Sequence, residues 1–252
     1  MMRYTRFASW HHDVIGKLNW RRDRQWYCER LSQVSGPVCE LACGDARLLA
    51  PLAEAGKEVW GMDISPEILK IAEADLLKIP GARFHLVHGD LASWELPRIF
   101  GAVVLAVNAV GFVHSRQDKA ALFRRVRDHL VPGGLFLLDR VTDARSVLGD
   151  QQADSGDVFY KEDGKGRWTF RTVYTCPESG VVREWLYWKC IRPDGATVDQ
   201  GEDYDEFRFL PVLDLFSLVE EEGFEILETY DGFDWEPFER DSQWLALVLQ
   251  KR

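Results

Sequence analysis

The chain has 252 residues and a formal net charge of -10, which is long enough for one large α/β domain or a domain with a sizeable insertion. This acidic balance argues against sequence-independent binding to nucleic acid, where Lys and Arg supply most of the affinity. No apolar run approaches the roughly 20 residues of a membrane helix, and MMRYTRFASWHHDV at the N-terminus lacks the apolar stretch of a signal peptide.

The first half of the chain alternates between strand and helix patterns. Residues 20–34 are predicted to form an amphipathic helix. The run VCEL then reads as a strand, GDARLLAPLAEAG as a helix ending in glycine, and KEVWGMD as a second strand. Ser65 and Pro66 open the next helix as its N-cap and first-turn proline.

Further strands are predicted at ARFHLV, IFGAVVLAV and GGLFLLD, with a helix around DKAALFRRVRDHL between the last two. Strands that alternate with helices favour a mostly parallel, doubly wound sheet. Right-handed crossovers place the carboxyl ends of these strands along one edge, where ligands bind.

The pattern changes between residues 145 and 208, where aromatic, β-branched and turn residues replace helical periodicity. We predict an antiparallel sheet inserted over the strand ends, with most of Trp168, Trp185, Tyr187 and Trp188 in its core. A final helix, PVLDLFSLVEEEGF, and two strands, FEILETYDGF and SQWLALVLQK, follow. The expected units are therefore residues 1–144 with most of the α/β core, the inserted β cap at 145–208, and residues 209–252, which complete the core.

The strongest functional signal is the segment from Glu40 to Ala46, which follows a buried strand and precedes a helix. Small residues at 42, 44 and 46 let a ligand approach the backbone closely. Asp63 ends the second strand about twenty residues on, where an acid accepts hydrogen bonds from ribose hydroxyls. Asp90 follows the third strand, where an acid can accept a hydrogen bond from an adenine amino group.

The same architecture serves dinucleotides, so the two kinds of ligand must be separated. A pyrophosphate site favours glycine at the sixth position of the motif, which Arg47 occupies here when the count starts at Ala42. The carboxylate of Glu40 would repel a pyrophosphate, whereas it suits a cationic amino group such as that of a methionyl moiety.

These motifs resemble those of class I S-adenosylmethionine-dependent methyltransferases. ELACGDARLLAPLAEAGKEVWGMDISPEIL is similar to the first two motifs, and HGDL, AVNAVGF and HLVPGGLFLLD resemble the later ones in order. The inserted sheet and the DGF turn are similar to small-molecule members, including sugar-amine N-methyltransferases. The resemblance implies a Rossmann-like, seven-stranded α/β sheet with an inserted antiparallel β cap, and S-adenosyl-L-methionine as cofactor.

The resemblance also assigns cofactor contacts residue by residue. Glu40, Ala42 and Gly44 match the loop under the methionine moiety, Asp63 and Ile64 the ribose and adenine contacts, and Asp90 and Leu91 further adenine contacts. Ala106 and Asn108 match the segment beneath the sulfonium, and Tyr4 and Phe7 the N-terminal cover. Alanine replaces the usual glycine at 42 and 46. We expect a negative φ at Ala42 and a helix start at Ala46, where alanine is favourable.

The catalytic group is less well defined by the sequence. An amine that arrives unprotonated needs little beyond alignment, whereas a hydroxyl or an ammonium needs a base. Phe112 stands where related sequences often carry His or Tyr, which leaves His114 and Asp139 as candidate catalytic residues. Phe112, Arg140 and Arg208 are candidate substrate contacts, the arginines for a carboxylate or phosphate.

We therefore expect a cytoplasmic enzyme that methylates N or O of a small-molecule acceptor, with no nucleic acid, membrane or metal partner and with a homodimer left open. Two alternatives remain: an NAD(P)-dependent oxidoreductase, and a non-catalytic protein that binds an adenosyl ligand. The five cysteines show no Cys-x-x-Cys pair or zinc spacing, and His11-His12 has no third ligand at recognisable spacing.

Overall fold

The computed structural model describes Phe7, residues 21–142 and residues 154–252. Within these ranges the chain forms a large sheet flanked by helices and a smaller second sheet. None of the helices there combines the length and the apolar composition that crossing a membrane requires.

The strands follow the predicted order along the chain. The first five are β1 (Val38–Leu41), β2 (Glu58–Asp63), β3 (Arg83–His88), β4 (Phe100–Leu105) and β5 (Leu130–Val141). The insertion contributes β6 (Asp154–Asp163), β7 (Gly166–Glu178), β8 (Val181–Ile191) and β9 (Thr197–Arg208). The closing strands are β10 (Phe224–Tyr230) and β11 (Trp244–Lys251).

The helices alternate with the core strands. They are α1 (Arg21–Ser32), α2 (Leu49–Glu54), α3 (Pro66–Leu76), α4 (Arg116–Asp128) and α5 (Val212–Glu221), with a 3₁₀ helix at Ala109–Phe112. The predicted cap of α3 is confirmed, because the Ser65 hydroxyl accepts a hydrogen bond from the Ile68 N–H at 3.2 Å. Helix α2 begins later than predicted, at Leu49.

The large sheet has the strand order β10-β11-β5-β4-β1-β2-β3 in the described part of the chain. Its neighbours from β3 to β5 are parallel, and β11 runs antiparallel to both β5 and β10. This confirms the predicted Rossmann-like, seven-stranded sheet. Strand β1 lies between β2 and β4 in the sheet, so the strand order reverses at this point. Such a reversal opens a crevice at the carboxyl ends of these strands.

Both faces of the large sheet are covered, as parallel sheets require. Strand β4 is buried throughout, with Val103 and Leu105 in one apolar cluster and Ala102 and Val104 in the other. This period of two along one strand shows that the sheet separates two cores, one on each face. The strand ends that carry the polar motif residues are therefore held on a rigid support.

Gly101 in β4 permits a close approach of the backbone at Ser35, and replacing this glycine should destabilise the fold. A Cβ added there would lie 1.9 Å from the Ser35 carbonyl oxygen, and the Gly101 N–H donates to the Pro37 carbonyl at 2.9 Å. We expect Gly101→Ala to lower the free energy of unfolding by about 1–3 kcal/mol through overpacking, measured by urea denaturation. The control is Gly164→Ala, where a Cβ meets nothing within 4 Å. An equal loss in the control would contradict the steric explanation.

The smaller sheet is antiparallel, with the strand order β6-β7-β8-β9. One of its faces carries a buried cluster formed by Trp168, Phe170, Leu186, Trp188 and Cys190, together with Phe7. The predicted core role is confirmed for Trp168 and Trp188. Trp185 and Tyr187 alternate to the opposite face and are only half-buried, so the prediction is wrong for these two rings.

Candidate active site

A cavity of about 1010 Å³ lies where the loops after β1 to β4 meet the inserted sheet. The structure places most of the predicted site residues on its wall. From the core these are Glu40, Ala42, Gly44, Asp63, Ile64, Asp90, Leu91, Ala106, Asn108, Phe112 and His114.

The loop after β1 has a left-handed backbone at three positions. Gly44 has a φ of +54°, Ala42 of +56° and Ala46 of +63°. The expectations of a negative φ at Ala42 and a helix start at Ala46 are therefore wrong. The family's preference for glycine at both positions has a direct cause here, since alanine disfavours this conformation. Both alanines keep the tight turn at some cost in backbone strain.

Glu40 is a buried carboxylate that faces the cavity. Its side chain is 5% exposed, and its Oε2 atom has no hydrogen-bond partner among the described residues. Burial raises the pKa of this carboxyl well above its usual range, while the nearby Arg47 guanidinium acts in the opposite direction. A cationic group in the cavity would restore the ionised form, because an opposite charge favours it. Glu40 therefore fits an ammonium ligand.

Asp63 joins the loop after β1 to the end of β2. Its Oδ2 atom accepts a hydrogen bond from the Gly44 N–H at 2.9 Å, and its Oδ1 atom accepts one from the Ser65 N–H at 2.9 Å. Burial raises its pKa, and these backbone hydrogen bonds oppose the shift. A carboxylate offers about four acceptor sites, so capacity remains for the hydroxyls of a ribose.

The loop after β3 supplies the next part of the wall. Asp90 Oδ1 accepts a hydrogen bond from the Ala92 N–H at 2.8 Å and shapes this turn. A ring nitrogen of His88 lies 2.9 Å from the Ile64 carbonyl oxygen, and this contact holds the loops after β2 and β3 together. Asp90, Leu91 and Ile64 thus line the cavity together with Asp63.

The loop after β4 contributes Ala106, Val107 and Asn108 to the cavity wall. Val107 has a φ of +55° and Asn108 a φ of +59°. Asparagine tolerates the left-handed conformation, whereas a β-branched residue such as Val107 rarely adopts it. The conformation costs of order 1–3 kcal/mol. Phe112 follows on the 3₁₀ helix, and its ring packs 4.5 Å from that of Phe207 in the inserted sheet.

His114 lies in the cavity wall and touches the inserted sheet. Its Nε2 atom is 3.1 Å from the Glu206 carbonyl oxygen. A carbonyl can only accept, so Nε2 carries the hydrogen of this contact. In the neutral ring the Nδ1 atom is then the one that can accept a proton.

Asp139 is not placed as a catalytic group. Its side chain is fully buried below the loop after β4 and does not line the cavity. Its carboxylate accepts hydrogen bonds from the Tyr27 hydroxyl at 2.6 Å, from the Val107 N–H at 2.7 Å and from the Asn108 N–H at 3.3 Å. The prediction that Asp139 contacts the reacting atoms is therefore wrong.

The two arginines predicted to bind substrate also lie elsewhere. Arg140 is 1% exposed, and its guanidinium donates to the carbonyls of Val141, Thr142 and Leu210. Arg208 contacts Glu206 and Glu178 on the inserted sheet. Neither lines the cavity. Arg140 instead ties the end of β5 to Leu210, where the inserted sheet returns to the core, and Arg208 pairs with carboxylates inside the inserted sheet.

The N-terminal candidates are only partly described. Phe7 packs in the inserted sheet, with ring centroids 5.2 Å from those of Phe170 and Trp188. It does not line the cavity, so its position indicates packing rather than cofactor contact. Tyr4 lies outside the described residues, as do His11 and His12.

The inserted sheet supplies acidic residues to the cavity wall that the sequence analysis did not identify. Glu184, Asp203 and Asp205 line it, and Glu184 and Asp205 are directly paired across β8 and β9. Glu184 Oε1 accepts a hydrogen bond from the Tyr174 hydroxyl at 2.8 Å. Their alternation with apolar residues was a signal for a common face, but which face looks into a cavity is decided by the packing. Among the described residues no group of three or more potential metal ligands is found.

Residues 38–134 match the family model of the methyltransferase domain, a segment that begins at β1 and includes the loops that line the cavity. This segment is a methyltransferase domain, and the chain has the fold of S-adenosylmethionine-dependent methyltransferases. The oxidoreductase and non-catalytic alternatives are therefore wrong. Glu40, with its unsatisfied oxygen, and Asp63, with spare acceptor capacity, fit the ammonium and the ribose of this cofactor.

Two relatives illustrate the range of similar sequences. This chain is 24% identical over 252 residues to the "Putative methyltransferase YqeM" of Bacillus subtilis. The aligned region covers 99% of this chain and 98% of the relative. It is 28% identical over 110 residues to the dTDP-3-amino-3,6-dideoxy-alpha-D-glucopyranose N,N-dimethyltransferase of Streptomyces fradiae, over 44% of this chain and 41% of that one.

Solved structures share the fold across nearly the whole chain. An S-adenosylmethionine-dependent methyltransferase from Clostridium acetobutylicum superposes with a TM-score of 0.77 at 19% identity, over 98% of each chain. An amino pentose methyltransferase from Micromonospora echinaspora gives a TM-score of 0.67 at 18% identity, over 97% of each chain. At these identities the likeness concerns the fold, including the inserted sheet.

Proposed function

We propose that this methyltransferase methylates an amine nitrogen of a small-molecule acceptor, which binds between the loop after β4 and the inserted sheet. The observation that carries the proposal is the position of Glu184, Asp203 and Asp205 on the same cavity as Glu40 and Asp63. Carboxylates form charge-assisted hydrogen bonds with ammonium groups, so this wall suits a cationic acceptor.

The volume of the cavity supports a site shared by two molecules. At about 1010 Å³ it lies at the upper end of the range for ligand pockets. Residues 145–208 would then act as a cap that closes the acceptor side, while residues 1–144 and 209–252 form the cofactor-binding core. The continuous wall from the βα loops to β8 and β9 favours this arrangement over an independent domain.

The same acidic wall distinguishes the proposed acceptor from those named for two relatives. The Streptomyces fradiae relative is named for a dTDP-linked amino sugar, and so is one from Streptomyces venezuelae. Glu184, Asp203 and Asp205 supply acceptor oxygens to this wall, which match an ammonium group better than a diphosphate. We therefore propose an amine without a nucleotide, such as a diamine or a free amino sugar.

The core residues would bind the cofactor so that its sulfonium end faces the inserted sheet. Glu40 would hold the ammonium of the methionine moiety, Asp63 the ribose, and Asp90 with Leu91 and Ile64 the adenine. When bound, S-adenosylmethionine supplies an electrophilic methyl group on a sulfonium. Holding an amine in line with that group accounts for much of the rate acceleration.

An amine that enters as an ammonium must lose a proton before it can act as a nucleophile. His114 would serve this task, because its Nε2–H is held by the Glu206 carbonyl while Nδ1 remains the basic nitrogen. Among the residues predicted to be catalytic, it is the one that lines the cavity. We propose His114 as the general base.

The deciding experiment measures transfer of a labelled methyl group from S-adenosylmethionine to a panel of acceptors. The panel contains diamines, free amino sugars, dTDP-linked amino sugars, peptides with a free N-terminus and matched alcohols. We expect methylation of amines that lack a nucleotide. Activity confined to alcohols, or to the dTDP-linked sugars, would refute the proposed acceptor class.

The acidic wall is tested by Glu184→Gln, which keeps the shape of the side chain and its capacity to accept from Tyr174. Losing one charge-assisted hydrogen bond should lower kcat/KM for the amine acceptor about tenfold, with the cofactor Kd unchanged. Asp194→Asn is the matched control, because Asp194 lies in the exposed turn between β8 and β9. Equal kcat/KM values for the wild type and Glu184→Gln would exclude Glu184 as an acceptor contact.

A further inference from the structure

The loop after β4 forms the part of the cavity wall that faces the inserted sheet, yet its backbone is unfavourable at Val107. Val107 and Asn108 are both left-handed, with φ of +55° and +59°. Valine does not adopt this conformation without an external constraint. The structure must therefore contain a group that holds this loop.

That group is the carboxylate of Asp139. Its Oδ2 atom accepts the Val107 N–H at 2.7 Å and its Oδ1 atom accepts the Asn108 N–H at 3.3 Å. The Asn108 side chain completes the arrangement, because its Oδ1 atom accepts the Val141 N–H at 2.6 Å. The backbones of both left-handed residues and the side chain of Asn108 are thus hydrogen-bonded to the last residues of β5.

Asp139 is itself oriented by Tyr27 of α1. The Tyr27 hydroxyl donates to Asp139 Oδ2 at 2.6 Å, and both side chains are completely buried. Tyr27 and Asp139 are 112 residues apart in the chain. The hydrogen bond therefore connects the N-terminal helix to the cavity wall through one carboxylate.

We propose that Asp139 is a positioning residue, whose buried carboxylate, oriented by Tyr27, holds Val107 and Asn108 in the left-handed conformation that shapes the methyl-transfer site. The expected effect of Asp139 on turnover rests on the proposed function. The proposal that Asp139 fixes the conformation of the loop after β4 does not. Asp139 touches neither cofactor nor acceptor in this arrangement. It acts through the backbone of the loop.

The ionisation of Asp139 gives this proposal a direct readout. Burial raises its pKa to about 6, while the hydrogen bonds from Tyr27, Val107 and Asn108 oppose the shift. Protonation removes acceptor capacity from a carboxylate that accepts from all three groups. Among the described residues, charged groups that act on the pair include Asp23 of α1, which also raises the Asp139 pKa, and Glu40 of β1, which acts on Tyr27.

The first test follows the backbone amide signals of Val107 and Asn108 by NMR between pH 5 and pH 8, in the full chain without acceptor. In the wild type both should move with a common midpoint near the Asp139 pKa of about 6. Tyr27→Phe should move the midpoint to higher pH, because it removes a hydrogen bond that lowers this pKa. Asp139→Asn should abolish the titration. Tyr230→Phe, which removes a hydroxyl bonded to Glu228, should leave the midpoint unchanged.

The second test asks whether the hold on the loop matters for turnover. Asp139→Asn should lower kcat about 10- to 100-fold through misplacement of the site and should weaken binding of S-adenosylhomocysteine. Adding Val107→Asn should restore much of both losses, because asparagine tolerates a positive φ without the constraint. If Asp139 only stabilised the fold, Val107→Asn would restore neither kcat nor S-adenosylhomocysteine binding.

Several results would overturn the proposal. One is a pair of amide signals that do not titrate in the wild type, and another is an unshifted midpoint in Tyr27→Phe. Full turnover and full S-adenosylhomocysteine affinity in Asp139→Asn would do the same, as would failure of Val107→Asn to rescue. The amide titration and the S-adenosylhomocysteine affinity need no acceptor, so they test Asp139 even if the proposed amine class is wrong.

Discussion

Replacing His114 by alanine is expected to lower kcat for the amine acceptor by about 10²- to 10⁴-fold, the usual contribution of a general base. The Kd for S-adenosylmethionine should not change, because His114 lies beyond Phe112, on the side of the cavity that meets β9. Steady-state kinetics give kcat, and isothermal calorimetry gives the Kd.

The matched variant is His114→Gln, whose amide can still donate to the Glu206 carbonyl but cannot take up a proton at neutral pH. If His114 acts as a base, both variants lose turnover to a similar extent. If its role is only to hold the inserted sheet through Glu206, the glutamine variant recovers the rate. Near-wild-type turnover in both variants would leave alignment of the amine as the source of catalysis.

Replacing Asp63 by alanine is expected to weaken S-adenosylmethionine binding by about 10- to 140-fold, since each hydrogen bond to a charged group contributes about 1.5–3 kcal/mol. Part of the loss is indirect, because Asp63 also accepts from Gly44 and Ser65. Calorimetry with S-adenosylmethionine and with S-adenosylhomocysteine should show the same factor, since both share the ribose.

Asp63→Asn separates the two contributions. It keeps one acceptor oxygen for the loop but removes the charge, so its loss should be smaller than that of the alanine variant. Asp75→Ala serves as the control and should bind the cofactor normally, because Asp75 is a half-buried residue of α3 that pairs with Lys78 and does not line the cavity. Wild-type affinity in Asp63→Ala, or NADH binding tighter than S-adenosylmethionine binding, would contradict the assigned role.

The sequence alone was sufficient for the fold class and for the part of the cavity wall that the loops after β1 to β4 form. Alternation of strands and helices is a local property of the chain, and the period of apolar residues reports it directly. The carboxyl ends of parallel strands meet at one edge whatever the details of packing. For this reason Glu40, Asp63, Asp90 and Asn108 could be placed on a common site from their positions at strand ends.

Backbone conformation within the motif was beyond the sequence. Alanine prefers negative φ, so the sequence alone predicts an ordinary backbone conformation at positions 42 and 46. In the structure both residues are left-handed, because the turn between β1 and α2 is tied to Asp63 through the Gly44 N–H. A constraint from another strand overrides a local preference of about 1–2 kcal/mol.

The roles of the charged residues after β5 were decided only by tertiary contacts. Asp139 and Arg140 are neighbours at the end of a strand, where the sequence pattern indicated a ligand site. Yet Asp139 accepts from Tyr27, 112 residues away, and Arg140 donates to Leu210, 70 residues away. Both are buried, and a buried charge must find partners wherever the chain provides them.

The acceptor side of the cavity shows the same division. Glu184, Asp203 and Asp205 alternate along β8 and β9, and such alternation predicts that they share a face but not what that face contacts. Only the docking of the inserted sheet, through Phe207 on Phe112 and Glu206 on His114, turns this face toward the cofactor loop. Local periodicity determined the elements and the edge at which the motif loops meet, whereas long-range packing decided which side chains of the inserted sheet line the cavity.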